Sequence, residues 1–326
     1  MKKPLVFVTR KCPEEKLKAL KEVAEVEMWK KEDVSCPRKL LLEKAKEADA
    51  LLTMLSDQVD EELLDIGENL RVIANLAVGF DNINVEYATR KNVIITNTPD
   101  VLTDTTADLT FALILSSARR VIEAADYVKE GKWTSWSPLL LAGADVHHKT
   151  IGIVGMGKIG QAVAKRAKGF DMNILYHNRS RVTDAENQLQ ATYTSFDELL
   201  KESDFVVCMT PLTNETKNMF HAESFNKMKP SAIFINTSRG GTVVEEDLVK
   251  ALKEGVIAGA GLDVFEKEPI DSKHPLLMLP NAVALPHIGS ATLETRHAMI
   301  DCCVQNLISV LSGKPPITPL NKITAS

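Results

Sequence analysis

Cysteine is scarce and badly spaced for any joint task. The five residues, at positions 12, 36, 208, 302 and 303, form no C-x-x-C pair. That excludes a zinc ribbon or a redox dithiol, and the thiols read as those of a protein in a reducing cytoplasm. Seven histidines contain no H-x-x-x-H arrangement, so no metal site is expected. An excess of one charge is also missing. The net charge is −5 with no basic stripe, which argues against nucleic acid or an anionic membrane surface as a partner. No apolar run approaches a membrane span, and Leu5-Val6-Phe7-Val8 is too short for the apolar core of a signal peptide. Internal repeats and low-complexity segments are absent as well. What remains is a chain of 326 residues, 44% hydrophobic and 25% charged, which is globular in composition and long enough for two domains.

Short apolar runs recur at two places. Residues 5–8, 50–52, 72–74 and 93–95 are continuous and apolar, as in strands of a parallel sheet covered on both faces. Leu17, Leu20 and Val23 make a helical stripe between the first two runs. Residues 103–120 then read as one long helix, apolar on most sides and buried between domains. A second βα series opens at Lys149, with strands at 151–154, 174–176, 205–207, 232–235, 258–261 and 283–285. The last stretch, from Ala291, offers one helix and a proline-rich tail without strands of its own. Returning it to the first domain makes that domain discontinuous. The expected division is residues 1–100 with 288–326 as a substrate-binding domain, and 101–287 as a dinucleotide-binding domain. The fold class is α/β, with two Rossmann-like, doubly wound parallel sheets, the first flavodoxin-like.

Gly155-Met156-Gly157-Lys158-Ile159-Gly160 has a strand before it and a helix after it. Glycines there permit a tight turn and a close backbone approach, and the helix N-terminus attracts a pyrophosphate. A methyltransferase would also tolerate this turn, but would leave the motifs downstream without a purpose. NAD sites place an acid at the end of the next strand to bond the ribose hydroxyls. Here the chain reads His177-Asn178-Arg179-Ser180-Arg181. Two guanidiniums and a hydroxyl suit a 2′-phosphate, so NADP is the expected cofactor, with NADPH preferred over NADH.

Three polar residues follow later strands. Arg239, in Ser238-Arg239-Gly240, has a planar fork that matches the oxygens of a 2-oxo acid. His287, in Pro286-His287-Ile288-Gly289, is a proton carrier near neutral pH. Glu268, before Pro269, can bond one imidazole nitrogen and favour the protonated ring. Taken together they are equipment for moving a hydride and a proton between a nicotinamide and a 2-oxo acid.

At these residues the sequence resembles the D-isomer-specific 2-hydroxyacid dehydrogenases over almost its whole length. Val78-Gly79 and the helix-opening Thr103-Asp104-Thr105-Thr106-Ala107 share in the likeness. The resemblance implies two similar domains, a substrate in the cleft they form, and a homodimer. It implies catalytic roles for Arg239, Glu268 and His287, with Val78 and Gly79 amides on the substrate carboxylate and Ser290 beside it. On the cofactor side it implies Thr106, Pro211, Thr237, Asp263 and Gly289, with Asp263 bonding the carboxamide.

Within the family, Leu55-Ser56-Asp57, residues 99–104 and Trp133-Thr134-Ser135-Trp136 are similar to glyoxylate/hydroxypyruvate reductases. Asp145-Val146-His147-His148 and residues 176–179 also match bacterial 2-ketogluconate reductases. The expected reaction is reduction of a short 2-oxo acid to the D-2-hydroxy acid, with 2-ketogluconate as the alternative substrate. A dinucleotide-sensing corepressor is the non-enzymatic alternative, and formate dehydrogenase a further enzymatic one. Trp133 and Trp136 sit in a polar stretch where a core has no need of them. They are expected to anchor a dimer, with Trp136 narrowing the neighbouring subunit's substrate pocket.

Overall fold

The computed structural model describes residues 2–323 and divides into two compact units. One comprises the chain up to Leu102 together with the chain from Ala291; the other is Thr103–Ser290. Their edges lie two or three residues from the expected ones.

The first unit holds β1 (Leu5–Val8), β2 (Glu25–Met28), β3 (Ala50–Thr53), β4 (Val72–Asn75) and β5 (Ile94–Thr96). All pair in parallel, in the order β2-β1-β3-β4-β5, with Val6 opposite Ala50, Ala50 opposite Val72 and Val72 opposite Ile94. This is the flavodoxin-like order. Strands β3 and β4 are buried at every residue, which is why they read as unbroken apolar runs. Strand β2, Glu-Val-Glu-Met, is half-exposed at the edge; its two glutamates hide it from an apolar-run search. Helix Leu293–Leu311 packs on β4 and on the segment around Leu17 and Leu20, both fully buried. Buried Asn306 then ties down the tail by accepting the Ile317 and Thr318 amides at 2.9 and 3.0 Å. Asn321 in turn accepts the Ile95 amide at 2.8 Å. The first sheet is thus tied to residues 317–321.

The second unit holds β6 (Thr150–Val154), β7 (Asn173–His177), β8 (Thr192–Tyr193), β9 (Phe205–Cys208), β10 (Ile233–Asn236), β11 (Gly259–Leu262) and β12 (Ala282–Ala284). The order β12-β11-β10-β9-β6-β7-β8 is all parallel and reverses between β9 and β6. Helix Thr103–Ala118 ends two residues earlier than expected. Arg120, at φ 52°, turns the chain into a further helix, Val121–Lys129. The first of these helices packs within the second unit, on helix Lys158–Lys168 and strands β10 to β12. Arg166 clamps it by donating to Asp108 at 2.6 Å and to the Asp104 carbonyl at 3.1 Å. Helix Val121–Lys129, by contrast, buries none of its residues.

Among the described residues no helix is long and apolar enough to cross a membrane.

Candidate active site

In open parallel sheets ligands bind beyond the carboxyl ends of the strands, where the order reverses. In the second unit that place is the turn after β6. Gly155 has φ 103°, and a Cβ there would lie 2.7 Å from the Met209 carbonyl carbon. At Gly160 a Cβ would strike the Gly155 oxygen at 2.2 Å, whereas at Gly157 it would meet nothing within 4 Å. Two glycines are therefore required by the protein's own packing, and the third leaves the backbone open. Gly157 is the N-cap of helix Lys158–Lys168, with no side chain capping its amides. An uncapped, glycine-lined helix N-terminus fits a pyrophosphate.

After β7, the Asn178 side chain donates to the Ser180 carbonyl at 3.2 Å, and its own carbonyl accepts from the Tyr193 hydroxyl at 3.2 Å. Arg181 is engaged elsewhere: its guanidinium forks onto Glu186 at 2.9 and 2.6 Å. Hydrogen bonds from Arg181 and from Tyr176 hold the Glu186 carboxyl down at about 2. Arg179 makes no hydrogen bond or ion pair among the described residues. The two guanidiniums expected to serve one phosphate therefore differ, one committed and one open.

Further along the same sheet edge, the Pro211 carbonyl accepts from Thr216 at 2.6 Å, and Thr237 bonds Thr110 at 2.8 Å. Asn236, the last residue of β10 and 1% exposed, accepts the Ser238 amide at 3.0 Å and donates to the Arg239 carbonyl at 3.0 Å. It thereby shapes the loop that carries Arg239. Gly240 follows because a Cβ there would sit 1.8 Å from the Phe265 carbonyl carbon.

Phe265 begins the segment with Glu268. One Glu268 oxygen accepts the Phe265 amide at 3.0 Å, and the other bonds His287 Nδ1 at 2.6 Å. Burial pushes the Glu268 carboxyl up, but the bond and charge of His287, the Phe265 amide and nearby Arg239 outweigh it and hold the group below the usual range.

His287 itself has φ 53°, a left-handed conformation that costs a non-glycine residue on the order of 1–2 kcal/mol. Asp263, 1% exposed, holds it there by accepting the next two amides, Ile288 and Gly289, each at 2.8 Å. A Cβ on Gly289 would lie 3.3 Å from Asp263 and 3.4 Å from Thr106, and Ser290 ends the turn. Both Asp263 oxygens thus brace the histidine turn.

Val78 and Gly79 follow β4, and two buried asparagines hold their carbonyls: Asn97 reaches Val78 at 2.8 Å and Asn75 reaches Gly79 at 3.0 Å. Neither the Val78 nor the Gly79 amide donates to another described residue. Two open amides on a loop fixed from behind can take a carboxylate.

The carboxamides of Asn75, Asn97 and Asn236 escaped the reading of the sequence. For Asn75 and Asn236 the signal was there, since β4 and β10 are apolar runs that each end in asparagine. Among the described residues, no group of acidic, histidine or cysteine side chains is arranged to hold a metal ion.

Comparison with known proteins fits this geometry. Residues 111–289, more than half of the chain, match the model of the D-isomer specific 2-hydroxyacid dehydrogenase NAD binding domain. The chain belongs to the D-isomer specific 2-hydroxyacid dehydrogenases. Glyoxylate reductases of Thermococcus gammatolerans and Pyrococcus furiosus are each 51% identical to it over 324 residues, covering 98% of this chain and 96% of theirs. A Thermus thermophilus protein of known crystal structure superposes with a TM-score of 0.91 at 45% identity, covering 97% of this chain and all of its own. The NADPH-dependent glyoxylate/hydroxypyruvate reductase of Sinorhizobium meliloti, solved with NADP and malonate, gives 0.86 at 32% identity, covering 98% and 97%. This family member is an oxidoreductase that uses a nicotinamide dinucleotide on a small 2-oxo or 2-hydroxy acid.

Proposed function

We propose that this dehydrogenase reduces glyoxylate or hydroxypyruvate with NADPH, giving the D-2-hydroxy acid where the product is chiral. The observation that carries the reading is the 2.6 Å contact between Glu268 and His287, on the same sheet edge as Arg239. The dinucleotide supplies the hydride when bound. His287 gives its proton to the carbonyl oxygen, and Glu268 fixes the ring and favours its protonated form. Arg239 pairs with the substrate and stabilises negative charge growing on that oxygen. The Val78 and Gly79 amides take the carboxylate, and the turn at Gly155, Gly157 and Gly160 takes the pyrophosphate. The two relatives named glyoxylate reductase at 51% identity support a small substrate.

NADPH preference rests on the absence of an acid at Asn178 and on the open guanidinium of Arg179, with Ser180 beside it; the Sinorhizobium relative was solved with NADP. A homodimer accounts for a run of exposed apolar side chains: Val121, Ile122, Val128, Trp133, Trp136 (79% exposed) and Leu139 (80%). A surface of this kind marks a protein interface, and in such a dimer we infer that Trp136 shapes the substrate pocket of the second copy. Five free thiols suit a cytoplasmic setting.

The test is kcat/KM for glyoxylate, hydroxypyruvate and 2-ketogluconate, each with NADPH and NADH. Highest values for a two- or three-carbon acid with NADPH are expected. A preference for 2-ketogluconate or for NADH overturns the corresponding half of the reading, and a lack of turnover overturns all of it in favour of a dinucleotide-sensing binding protein.

A further inference from the structure

A second carboxylate–imidazole pair lies behind the first. Glu245 opens helix Glu245–Lys253, and its side chain is only 12% exposed. One of its oxygens accepts the Glu266 amide at 2.7 Å. The other lies 3.3 Å from His274 Nε2. The remaining nitrogen of His274, Nδ1, accepts the Leu276 amide at 3.3 Å, so the ring proton belongs on Nε2, directed at Glu245.

Glu266 and His274 bracket an excursion of the chain, residues 266–274, that is free of helix and strand and exposed at most positions. Glu268 stands on that excursion. Its anchors there are local: the Phe265 amide, three residues back, and His287 itself. A carboxylate on an irregular, solvated loop is poorly placed unless something rigid holds the loop. Glu245 supplies that hold from a helix whose Leu248, Ala251 and Leu252 are buried in the core.

We propose that Glu245 is a positioning residue which clasps this excursion near both ends and so sets the Glu268 carboxylate against His287. The proposal rests on the reading of Glu268 and His287 given above. The charged groups facing His287 are Glu268, bonded to it, and Asp263, which braces its turn; Arg239 acts on Glu268. Moving Glu268 away removes the nearest negative charge from the imidazole, which the pH profile of reduction reads.

The experiment compares Glu245→Leu, Glu245→Gln, His274→Leu and Glu268→Gln by kcat, by KM for NADPH, by the pH profile of kcat/KM in the reductive direction, and by thermal unfolding. A misplacement of about 1 Å at a catalytic group costs on the order of 100-fold in rate. Glu245→Leu is therefore expected to lose roughly 10- to 100-fold in kcat, to bring the alkaline limb to lower pH, and to leave KM for NADPH within about twofold. Glu245→Gln, which still accepts the Glu266 amide, should recover most of kcat. His274→Leu, which frees one end of the excursion, should move the limb in the same direction by less.

If Glu245→Leu unfolds at assay temperature, His274→Leu decides: an unmoved limb overturns the proposal. A lowered unfolding temperature in Glu245→Leu with wild-type kcat and pH profile also overturns it, leaving Glu245 a stabilising residue only. If Glu268→Gln moves the limb and the Glu245 and His274 variants do not, the clasp fails while the catalytic reading stands. If Glu268→Gln leaves the limb in place, both fail.

Discussion

The two units share one plan and differ in what they offer a ligand. Each is a parallel sheet with its polar loops at the carboxyl edge, and in each a buried strand ends in an asparagine that shapes the loop after it. Asn75 closes β4 and grips the Gly79 carbonyl; Asn236 closes β10 and grips the Arg239 carbonyl. In the second unit the shaped loop presents a side chain. In the first it presents two amides, which any residue but proline could supply. Side-chain chemistry can be read from a sequence, whereas an amide becomes a binding group only when its neighbours leave it unpaired.

The comparison breaks most sharply at the imidazole. His287→Ala is expected to lose on the order of 100- to 10,000-fold in kcat/KM, as for a general acid; a few-fold loss would reduce His287 to a packing role. Glu268→Gln bears on the same pair through pH. Because the Glu268 carboxyl sits below its usual range, the ionised partner persists as pH falls through the ordinary carboxylate range. Wild-type reductive activity should therefore hold through that range. The Gln variant should lose activity at lower pH on the alkaline side, and an unmoved profile would disconnect the two groups.

The backbone half of the comparison is tested at Asn75. Asn75→Ala frees the Gly79 carbonyl and loosens the amides, each worth about 1.5–3 kcal/mol against a carboxylate. KM for the 2-oxo acid should rise roughly tenfold, with KM for NADPH unchanged. A rise in the cofactor KM instead would place the loop's function elsewhere.

Within the second unit the two arginines should separate. Arg179→Ala is expected to raise KM for NADPH about tenfold more than for NADH. Arg181→Ala, whose guanidinium already forks onto Glu186, should change that ratio by less than about threefold. Equal effects of the two substitutions would mean that Arg181 leaves Glu186 for the cofactor. A comparably small effect is expected at Trp136. Its replacement by alanine should improve 2-ketogluconate relative to hydroxypyruvate by a few-fold, on the order of 1 kcal/mol, in a variant that remains dimeric. An unchanged ratio removes Trp136 from specificity.

The sequence by itself determined the class of the fold and singled out the side chains proposed to react. Strands buried on both faces must be apolar throughout, so β3, β4, β9 and β10 were visible. The glycine turn, Arg239, Glu268 and His287 stood out because few residue types do their chemistry. Strand β2 was not legible, since an edge strand needs neither continuity nor alternation.

Tertiary structure alone decided which polar groups are already engaged. Arg179 and Arg181 look equivalent in sequence, and only the packing of Glu186 makes one of them a hydrogen-bonded partner, while the other makes no such bond among the described residues and acts on Glu215 by charge alone. Asp263 braces the histidine turn because burial brings two amides to its oxygens. The Val78 and Gly79 carbonyls are held by Asn97, from the next strand's loop, and by Asn75, while among the described residues nothing takes the two amides. Hydrogen-bond satisfaction is a property of neighbours in space, and the order of residues along the chain does not contain it.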